Sequence, residues 1–311
     1  MSRDEVRAGW PTLAILIGAS VWGLTWYPLR ILASLGVTGT AASALTCMVA
    51  CGFVLVVRRR SIATLRWHWL LPALGVAAGI TNLGFVWGTI HGEVLRVMLL
   101  FYLTPAWTAL YAHFLLGERL SWAGAGLALL SIGGAALMLW SPRLGLPLPA
   151  SPAEWAGLAA GMGFAMSNVL IVRISRELPQ MKAEMRTATL FGGAAVLGLA
   201  AAFAEGLPPV PAAPQLGFAA LLVAGIGVVV ASTNMLVQYG LTRVPASRAS
   251  ILMLFEIVIT ALSAWLFAGE VPGAREWAGG ACIVAATLLS SRVHRPPATN
   301  GEARDGARAM V

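Results

Sequence analysis

The chain has 311 residues, of which 58% are hydrophobic and 11% are charged, and its 21 Lys and Arg outnumber its 13 Asp and Glu. An ordinary soluble domain carries about 25% charged residues, so this chain has too few charges to cover a water-exposed surface. The composition therefore excludes a soluble protein and predicts one that crosses a membrane several times. The positive charges are scattered over connecting loops, which argues against a nucleic-acid partner.

Ten apolar segments follow one another along the chain, most of them close to the roughly 20 residues that span a bilayer as a helix. Backbone polar groups in a bilayer have to be satisfied within the protein, so we predict that each segment is a helix. The alternating polarity of barrel strands does not occur in them. The segments, numbered one to ten, are 10–34, 36–57, 69–90, 94–116, 121–141, 153–174, 186–204, 215–241, 247–268 and 275–292.

The sequence of segments three and four is repeated in segments eight and nine. Residues 82–118 and 234–270 can be placed in one register without a gap, which chance would rarely give even in an apolar chain. Such a repeat is typical of an internal duplication. Among the identical pairs in this register are Asn82 and Asn234, Gly88 and Gly240, Arg96 and Arg248, Leu100 and Leu252, and Glu118 and Glu270.

Each copy contains five segments, and because five is odd the second copy should enter the membrane in the opposite direction. Inverted halves around a shared central site are typical of secondary transporters. We therefore predict an all-α membrane protein with ten transmembrane helices in two inverted five-helix repeats. The predicted domains are a cytoplasmic N-terminal tail (1–8), the first repeat (9–141), a linker (142–152), the second repeat (153–292) and a disordered cytoplasmic tail (293–311).

The distribution of Lys and Arg predicts the orientation in the membrane. If the N-terminus is cytoplasmic, only Arg30, Arg96, Arg143 and Arg275 of the 21 Lys and Arg lie at the opposite face. Positive residues accumulate in the cytoplasmic loops of membrane proteins, so we predict that both termini are cytoplasmic. Glycines spaced by four are predicted to allow close helix packing; they are Gly75 and Gly79, then Gly84, Gly88 and Gly92, and then Gly157 and Gly161.

The few ionisable residues inside the segments are the first candidates for function, because each costs about 2.5–3.5 kcal/mol to insert. Glu256 lies midway along segment nine and is predicted to bind a cationic substrate group or a coupling proton. The alternative is that it accepts hydrogen bonds from neighbouring helices. Arg30 either extends to the interface or pairs with an anionic substrate group or a carboxylate such as Glu256. His113 is a second candidate for proton coupling, with packing as the more frequent role.

Aromatic and weakly polar side chains inside the segments would suit a cavity for amphipathic metabolites. The alternative for the aromatic residues is packing or contact with lipid, and for Asn82 and Asn234 it is locking of neighbouring helices. Together with Glu256 and Arg30, the predicted substrate-binding residues are Trp22, Thr25, Trp26, Asn82, Trp87, Tyr102, Thr104, Trp107, Asn234, Gln238 and Tyr239.

Two acidic residues close segments four and nine at opposite faces and are candidates for gating. Glu118 could pair with Arg119, and Glu270 could pair with Arg275. The alternative is that each is a surface charge at a helix end.

Short motifs in both halves carry a family resemblance. The motifs of the first half are Trp22-Gly23 with Arg30, Tyr102-Leu103-Thr104-Pro105 and Gly117-Glu118-Arg119-Leu120. Those of the second half are Pro245-Ala246-Ser247-Arg248-Ala249-Ser250, Glu256, Gly269-Glu270 and Trp277-Ala278-Gly279-Gly280. With these motifs the chain resembles the EamA-type ten-helix members of the drug/metabolite transporter superfamily over roughly residues 10–292. Directly after Glu256, where the family often has proline, this chain has Ile257, so no proline break is expected in segment nine.

The resemblance implies export, uptake or exchange of small metabolites across a bacterial-type inner membrane, and we suggest amino acids or related amphipathic compounds, with export as the direction. The sequence contains no metalloprotease, serine-hydrolase or phosphate-binding motif, so we predict neither an enzyme nor a cofactor nor a metal. A membrane receptor or scaffold and an intramembrane enzyme are the alternative functions. The predicted partners are a small-molecule substrate, the lipid bilayer and protons, in a monomer or a homodimer.

Overall fold

The computed structural model describes residues 3–117, 122–140, 148–206, 213–241, 243–244, 252–253 and 255–293, and all regular secondary structure in these ranges is helical. In chain order the helices are α1 (Arg3–Leu24), α2 (Trp26–Ser34), α3 (Gly39–Val57), α4 (Leu70–His91), α5 (Val94–Phe101), α6 (Thr104–Leu116), α7 (Trp122–Leu139), α8 (Pro152–Glu177), α9 (Ala183–Ala204), α10 (Ala213–Leu241), α11 (Phe255–Ser263) and α12 (Ala274–Val293). A 3₁₀ turn precedes α4 at Arg59–Thr64, and a π-helical turn continues α11 at Ala264–Ala268.

Seven helical stretches of the described residues are long and apolar enough to cross a membrane. The pairs α1–α2 and α5–α6 each form one such stretch, and the others are α3, α4, α8, α9 and α10. The shorter apolar helices Ala125–Leu137 and Phe255–Ala268 correspond to segments five and nine. The prediction of an all-helical, multi-pass membrane protein is therefore confirmed, and each predicted segment coincides at least in part with a described helix.

Segments one and four, predicted as single helices, are each interrupted near a proline. Pro105 has no N–H to donate to the carbonyl of Phe101, so α5 ends there. The hydroxyl of Thr104 donates to that carbonyl at 2.6 Å, which satisfies the freed acceptor within the membrane. In segment one the interruption falls at Thr25, three residues before Pro28. Both breaks were missed because the hydropathy of the segments is continuous across them.

The two halves of the chain are interleaved and do not form separate lobes. Helix α1 packs against α10 and α11, α3 packs against α9 and α10, and α4 packs against α8 and α9. Helices α5 and α6 pack against α8, while α7 packs against α12. The largest cluster of buried side chains lies among α3, α4, α8, α9 and α10, with Leu74, Ile174 and Phe191 among its members. The core is therefore shared by both halves.

Glycines allow the helices of the two halves to approach at backbone contact. A Cβ atom added to Gly193 of α9 would overlap the Cα atom of Gly75 in α4. A Cβ atom added to Gly161 of α8 would lie 2.6 Å from the carbonyl oxygen of Phe101. The prediction that the spaced glycines serve helix packing is confirmed at these positions, since a larger residue would push the helices apart.

Candidate functional site

Glu256 lies in the first turn of α11, where α11 is in backbone contact with α1 near the interruption of segment one. A Cβ atom added to Gly23 would lie 2.8 Å from the carbonyl oxygen of Glu256, so only glycine at this position allows the contact. The hydroxyl of Thr260 donates to the same carbonyl oxygen at 2.9 Å. The glycine of the Trp22-Gly23 motif thus allows α1 to pack directly against the helix that carries Glu256.

The carboxyl group of Glu256 faces the hydroxyl of Tyr102, which lies in the interruption between α5 and α6. The contact is loose, because the buried Tyr102 oxygen has no partner of full hydrogen-bonding geometry among the described residues. A buried polar group without a partner costs about 1–3 kcal/mol. Within the described part of the chain, no ion pair includes Glu256. These two groups therefore retain capacity to bind a polar ligand group.

Trp26 holds the second piece of segment one against α11. Its side chain is 1% exposed, and its Nε1–H donates to the hydroxyl of Ser263 at 3.0 Å. Ser263 and Thr260 both place their hydroxyl oxygens 3.4 Å from the carbonyl oxygen of Gly23. The structure thus places Trp26 in the packed core next to the site, as in the packing alternative, and adds Ser263 and Thr260, which the sequence reading did not single out.

Replacement of Trp26 by phenylalanine is expected to destabilise the protein by about 1 kcal/mol, because it removes the hydrogen bond to Ser263. Ser263→Ala should cost a similar amount, and the double variant should cost less than the sum, since both changes remove the same bond. Thermal unfolding in detergent measures these differences. Trp22→Phe, at a partly exposed ring one turn earlier, serves as the control; fully additive effects of the first two changes would rule out the bond as a stabilising contact.

Arg30 is bound by protein groups at the end of α4 and at the end of α11. Its Nε–H donates to the carbonyl of Thr89 at 2.8 Å, and its Nη2 donates to the carbonyl of Gly92 at 2.7 Å. The same Nη2 lies 3.3 Å from Oε1 of Glu270. Of the predicted partners, Arg30 therefore pairs with a carboxylate, but this carboxylate is Glu270 and not Glu256.

Glu270 makes contacts that differ from those predicted. Its carboxylate accepts hydrogen bonds from the backbone N–H groups of Val94, at 3.0 Å, and of Leu95, at 3.1 Å, at the start of α5. Arg275, the predicted partner, instead donates to the carbonyl of Trp140 at 2.9 Å. The difference arises because the chain turns at the end of α11 and directs Glu270 towards the first half.

The other ionisable candidates lie elsewhere. His113 is on the exposed surface of α6, where its ring lies 5.1 Å from that of Phe114. Glu118, the gating candidate at the end of segment four, and its predicted partner Arg119 lie outside the described residues.

Asn82 and Asn234, which occupy equivalent positions in the repeat, differ in the helices that their amides contact. Asn82 of α4 accepts a hydrogen bond from the hydroxyl of Ser43 in α3 at 2.8 Å. Asn234 of α10 accepts one from Gln238 at 2.8 Å, and Gln238 in turn donates to Thr187 of α9 at 3.1 Å. The Asn82 contact agrees with the alternative in which the amides lock neighbouring helices, whereas Asn234 bonds within α10 and is linked to α9 only through Gln238.

The remaining aromatic candidates differ in their surroundings. The ring of Trp87 stacks on that of His91 at 4.4 Å. Tyr239 is exposed, with the guanidinium of Arg243 lying 3.9 Å from its ring centre. The buried Nε1–H of Trp107, like the Tyr102 hydroxyl, has no hydrogen-bond acceptor among the described residues. Trp107 and Tyr102 are thus two predicted cavity residues with a buried polar atom that has no partner among the described residues.

The two threonine candidates use their hydroxyls locally. Thr25 is buried and donates to the carbonyl of Val21 at 2.7 Å, one turn earlier in α1. Thr104 donates to Phe101 at the interruption described above and lies 3.4 Å from the carbonyl oxygen of Gly161 in α8. Both therefore support the breaks in their segments.

A charge cluster around Arg96 was not identified from the sequence. Nη1 of Arg96 lies 2.8 Å from Oε1 of Glu154, and its Nε lies 3.6 Å from Glu276 and 3.9 Å from Glu93. The buried Glu154 also accepts a hydrogen bond from the N–H of Ala150 at 2.7 Å. The cluster joins the first turns of α5, α8 and α12; the signal that could have indicated it is the acidic residue that opens segments six and ten.

Two further features do not belong to the site. An open groove of about 400 Å³ lies between α4 and α9, with Leu71, Val76 and Val196 among its lining residues. Its walls are apolar and it opens outwards, so it suits lipid better than a polar substrate. Among the described residues, no group of three or more His, Cys, Asp or Glu is arranged to hold a metal ion.

The described residues form several helices that can span a membrane, two of them interrupted beside a half-buried carboxyl group, and these are features of a membrane transporter. The chain belongs to the EamA-like transporter family, whose sequence profile matches residues 9–140 and 151–292. The resemblance inferred from the motifs is therefore confirmed: the protein is a multi-pass membrane transporter of small molecules, and this family points to transport and not to catalysis.

The chain is similar to a protein of Streptantibioticus cattleyicolor described as a probable terminal-alkyne amino-acid exporter. The two are 28% identical over 293 residues, which cover 90% of this chain and 92% of that protein. A crystal structure of another protein superposes with a TM-score of 0.56 at 17% identity, covering 92% of this chain and 99% of the other. That likeness shows a common fold.

Proposed function

We propose that this protein exports small amphipathic metabolites, with amino acids as the first candidates, by alternating access between two inverted halves. The name of the 28% identical relative supports an amino-acid substrate and export as the direction. The observation that carries the proposal is the Glu256 carboxyl group, which faces the Tyr102 hydroxyl and takes part in no ion pair among the described residues. A substrate ammonium group would supply the missing cation.

The contacts between helices support a two-fold relation between the halves. In the predicted repeat, segments one to five correspond to segments six to ten. Exchanging the halves turns the α1–α10 contact into the α4–α8 contact, and the α3–α10 contact into the α4–α9 contact. It also turns the α1–α11 contact into the contact of α8 with α5 and α6. The α3–α9 and α7–α12 contacts each join equivalent segments of the two halves, so the exchange leaves them unchanged. The main contacts between helices of different halves thus survive this exchange, which is expected of two copies related by an axis.

Alternating access follows from this arrangement. Each half, 9–141 and 153–292, is one five-helix unit, and an odd number of spans inverts the second unit relative to the first. With ten spans in total, both termini lie on the same side of the inner membrane. The distribution of Lys and Arg predicts that this side is the cytoplasm. Protons are the proposed coupling ion, with Glu256 binding a proton and the substrate ammonium group in turn.

The function is tested in two steps. An untargeted comparison of secreted metabolites from cells with and without the protein identifies candidate substrates. Purified protein in liposomes preloaded with an unlabelled candidate should then take up the labelled compound by exchange, and protein-free liposomes should not. A receptor, a scaffold or an enzyme predicts no exchange. The absence of exchange for every candidate, with monodisperse protein in the membrane, would contradict the proposal.

A further inference from the structure

We propose that Arg30 and Glu270 form a latch that holds one face of the protein closed and opens once in each transport cycle. The inference rests on the proposed transport function, because only alternating access requires this face to open. The latch is defined as the Glu270 carboxylate, the Arg30 guanidinium and the backbone groups of residues 89–95 that they bind. By the Lys and Arg distribution this is the predicted outer face.

The Glu270 carboxylate belongs to the second half, whereas its donors among the described residues all belong to the first half. It accepts hydrogen bonds from the N–H groups of Val94, at 3.0 Å, and of Leu95, at 3.1 Å, while Arg30 lies 3.3 Å away. A carboxylate at a helix N-terminus is favoured by the helix dipole, and hydrogen bonds to charged groups are stronger than those between neutral groups. The end of α11 is therefore fixed to the start of α5.

Arg30 extends the connection to two further helices. Its guanidinium binds the carbonyl groups of Thr89 and Gly92 at the end of α4, at 2.8 and 2.7 Å. Its central carbon lies 4.9 Å from the ring centre of Trp26 in α2, and Trp26 is itself bonded to α11. The latch thus connects α2, α4 and α5 of the first half with α11 of the second.

The backbone at the end of α11 directs Glu270 into this position. Helix α11 continues as a π-helical turn, Ala264–Ala268, and such turns are frequent at functional sites. Gly269 then adopts a φ of 67°, a left-handed conformation that glycine adopts without strain. The N–H of Glu270 returns to the carbonyl of Ala264 at 3.2 Å. The chain therefore reverses, and the Glu270 side chain meets α5.

A buried apolar cluster lies next to the latch, on the side that faces the interior of the protein. Trp26, Val94, Met98 and Ala264 are each at most 2% exposed and pack together between α2, α5 and α11. The latch itself is accessible, since the side chains of Arg30 and Glu270 are 28% and 16% exposed. Water can therefore reach and replace its contacts, whereas the side chains of the cluster are closed to solvent. Opening of this face has to separate Ala264 from Val94 and Met98, and it cannot do so while Glu270 binds α5.

The latch is tested with one reporter cysteine in the apolar cluster, Met98→Cys, in a background that lacks the native cysteines. Its rate of labelling by a membrane-impermeant maleimide is measured in intact cells and in inverted vesicles. Glu270→Ala should raise the rate about tenfold, from the face of the latch only, because three stabilising contacts are lost. Glu270→Gln should raise it less, since the single amide oxygen can still accept from one of the two N–H groups, which in the parent protein bind different carboxylate oxygens.

Glu93→Gln is the matched control, because it makes the same chemical change at an exposed carboxylate beside α5, and it should leave the labelling rate unchanged. If Glu270→Ala does not give monodisperse protein, Glu270→Gln decides the test, with an increase of at least threefold expected. A labelling rate within twofold of the parent in both Glu270 variants would overturn the latch. Substrate exchange is measured on the parent protein in parallel, so failed transport with raised labelling refutes the transport function and shows only that these contacts hold the face closed, whereas transport with unchanged labelling refutes the latch alone.

Discussion

Glu256→Gln is expected to reduce substrate exchange in liposomes at least tenfold and to remove the dependence of the rate on pH between 5 and 9. Glutamine has the shape of the acid but cannot bind a proton or carry the charge that attracts an ammonium group. A hydrogen bond to a charged group contributes about 1.5–3 kcal/mol, which corresponds to a factor of about ten to one hundred in binding. Initial rates of exchange over this pH range measure the effect.

Two companion variants separate binding from folding. Glu177→Gln makes the same change at a partly exposed carboxylate at the end of α8 and should exchange substrate at the parental rate. Tyr102→Phe removes the hydroxyl that faces Glu256 and should raise the KM for substrate more than it lowers the maximal rate. If Glu256→Gln exchanged substrate with the parental rate and pH dependence, Glu256 would have only a structural role.

Gly193→Ala is expected to destabilise the protein by about 3 kcal/mol or more, the largest effect on stability that we predict. The added methyl group would overlap the Cα atom of Gly75, which is backbone and cannot move aside as a side chain would. The crossing of α9 and α4 would have to open, and with it the cluster of buried side chains that both halves share. The fraction of monodisperse protein after heating in detergent measures the loss.

The neighbouring glycine provides the control for this prediction. A Cβ atom added to Gly192 would meet only the sulfur of Cys51, at 3.5 Å, which is an ordinary contact distance. Gly192→Ala should therefore be neutral or slightly stabilising, since alanine is favoured over glycine in a helix by about 0.5–1 kcal/mol. Equal stability of the two variants would show that α4 and α9 do not cross at Gly75 and Gly193.

Features that depend on residues close together in the sequence were predictable. The ten apolar segments, the repeated stretch and the motifs around Gly23 and Glu256 led to the helical membrane fold and to the family. The prolines at positions 28 and 105 carried a signal for the interruptions, but continuous hydropathy concealed it. Glu256 stands out in a sequence because a lone acid in an apolar segment is costly.

Pairings between distant residues could not be predicted in the same way. Arg30 and Glu270 are far apart in the chain, and their contact depends on how α2, α5 and α11 interleave. Arg275 was the expected partner of Glu270 because it is near in sequence, yet the turn at Gly269 directs the carboxylate to the other half. The role of Trp26 also depended on Ser263, a residue without any distinguishing pattern around it.

Sidedness of labelling at two equivalent positions of the repeat tests the inverted relation of the halves most directly. His91 and Arg243 are both exposed and occupy equivalent positions in the two copies of the repeat. In a cysteine-free background, His91→Cys and Arg243→Cys are labelled separately with a membrane-impermeant maleimide in intact cells and in inverted vesicles. Inverted halves predict that position 91 reacts in intact cells and position 243 in inverted vesicles. Reaction of both positions from the same side would contradict the inversion and with it the proposed transport mechanism.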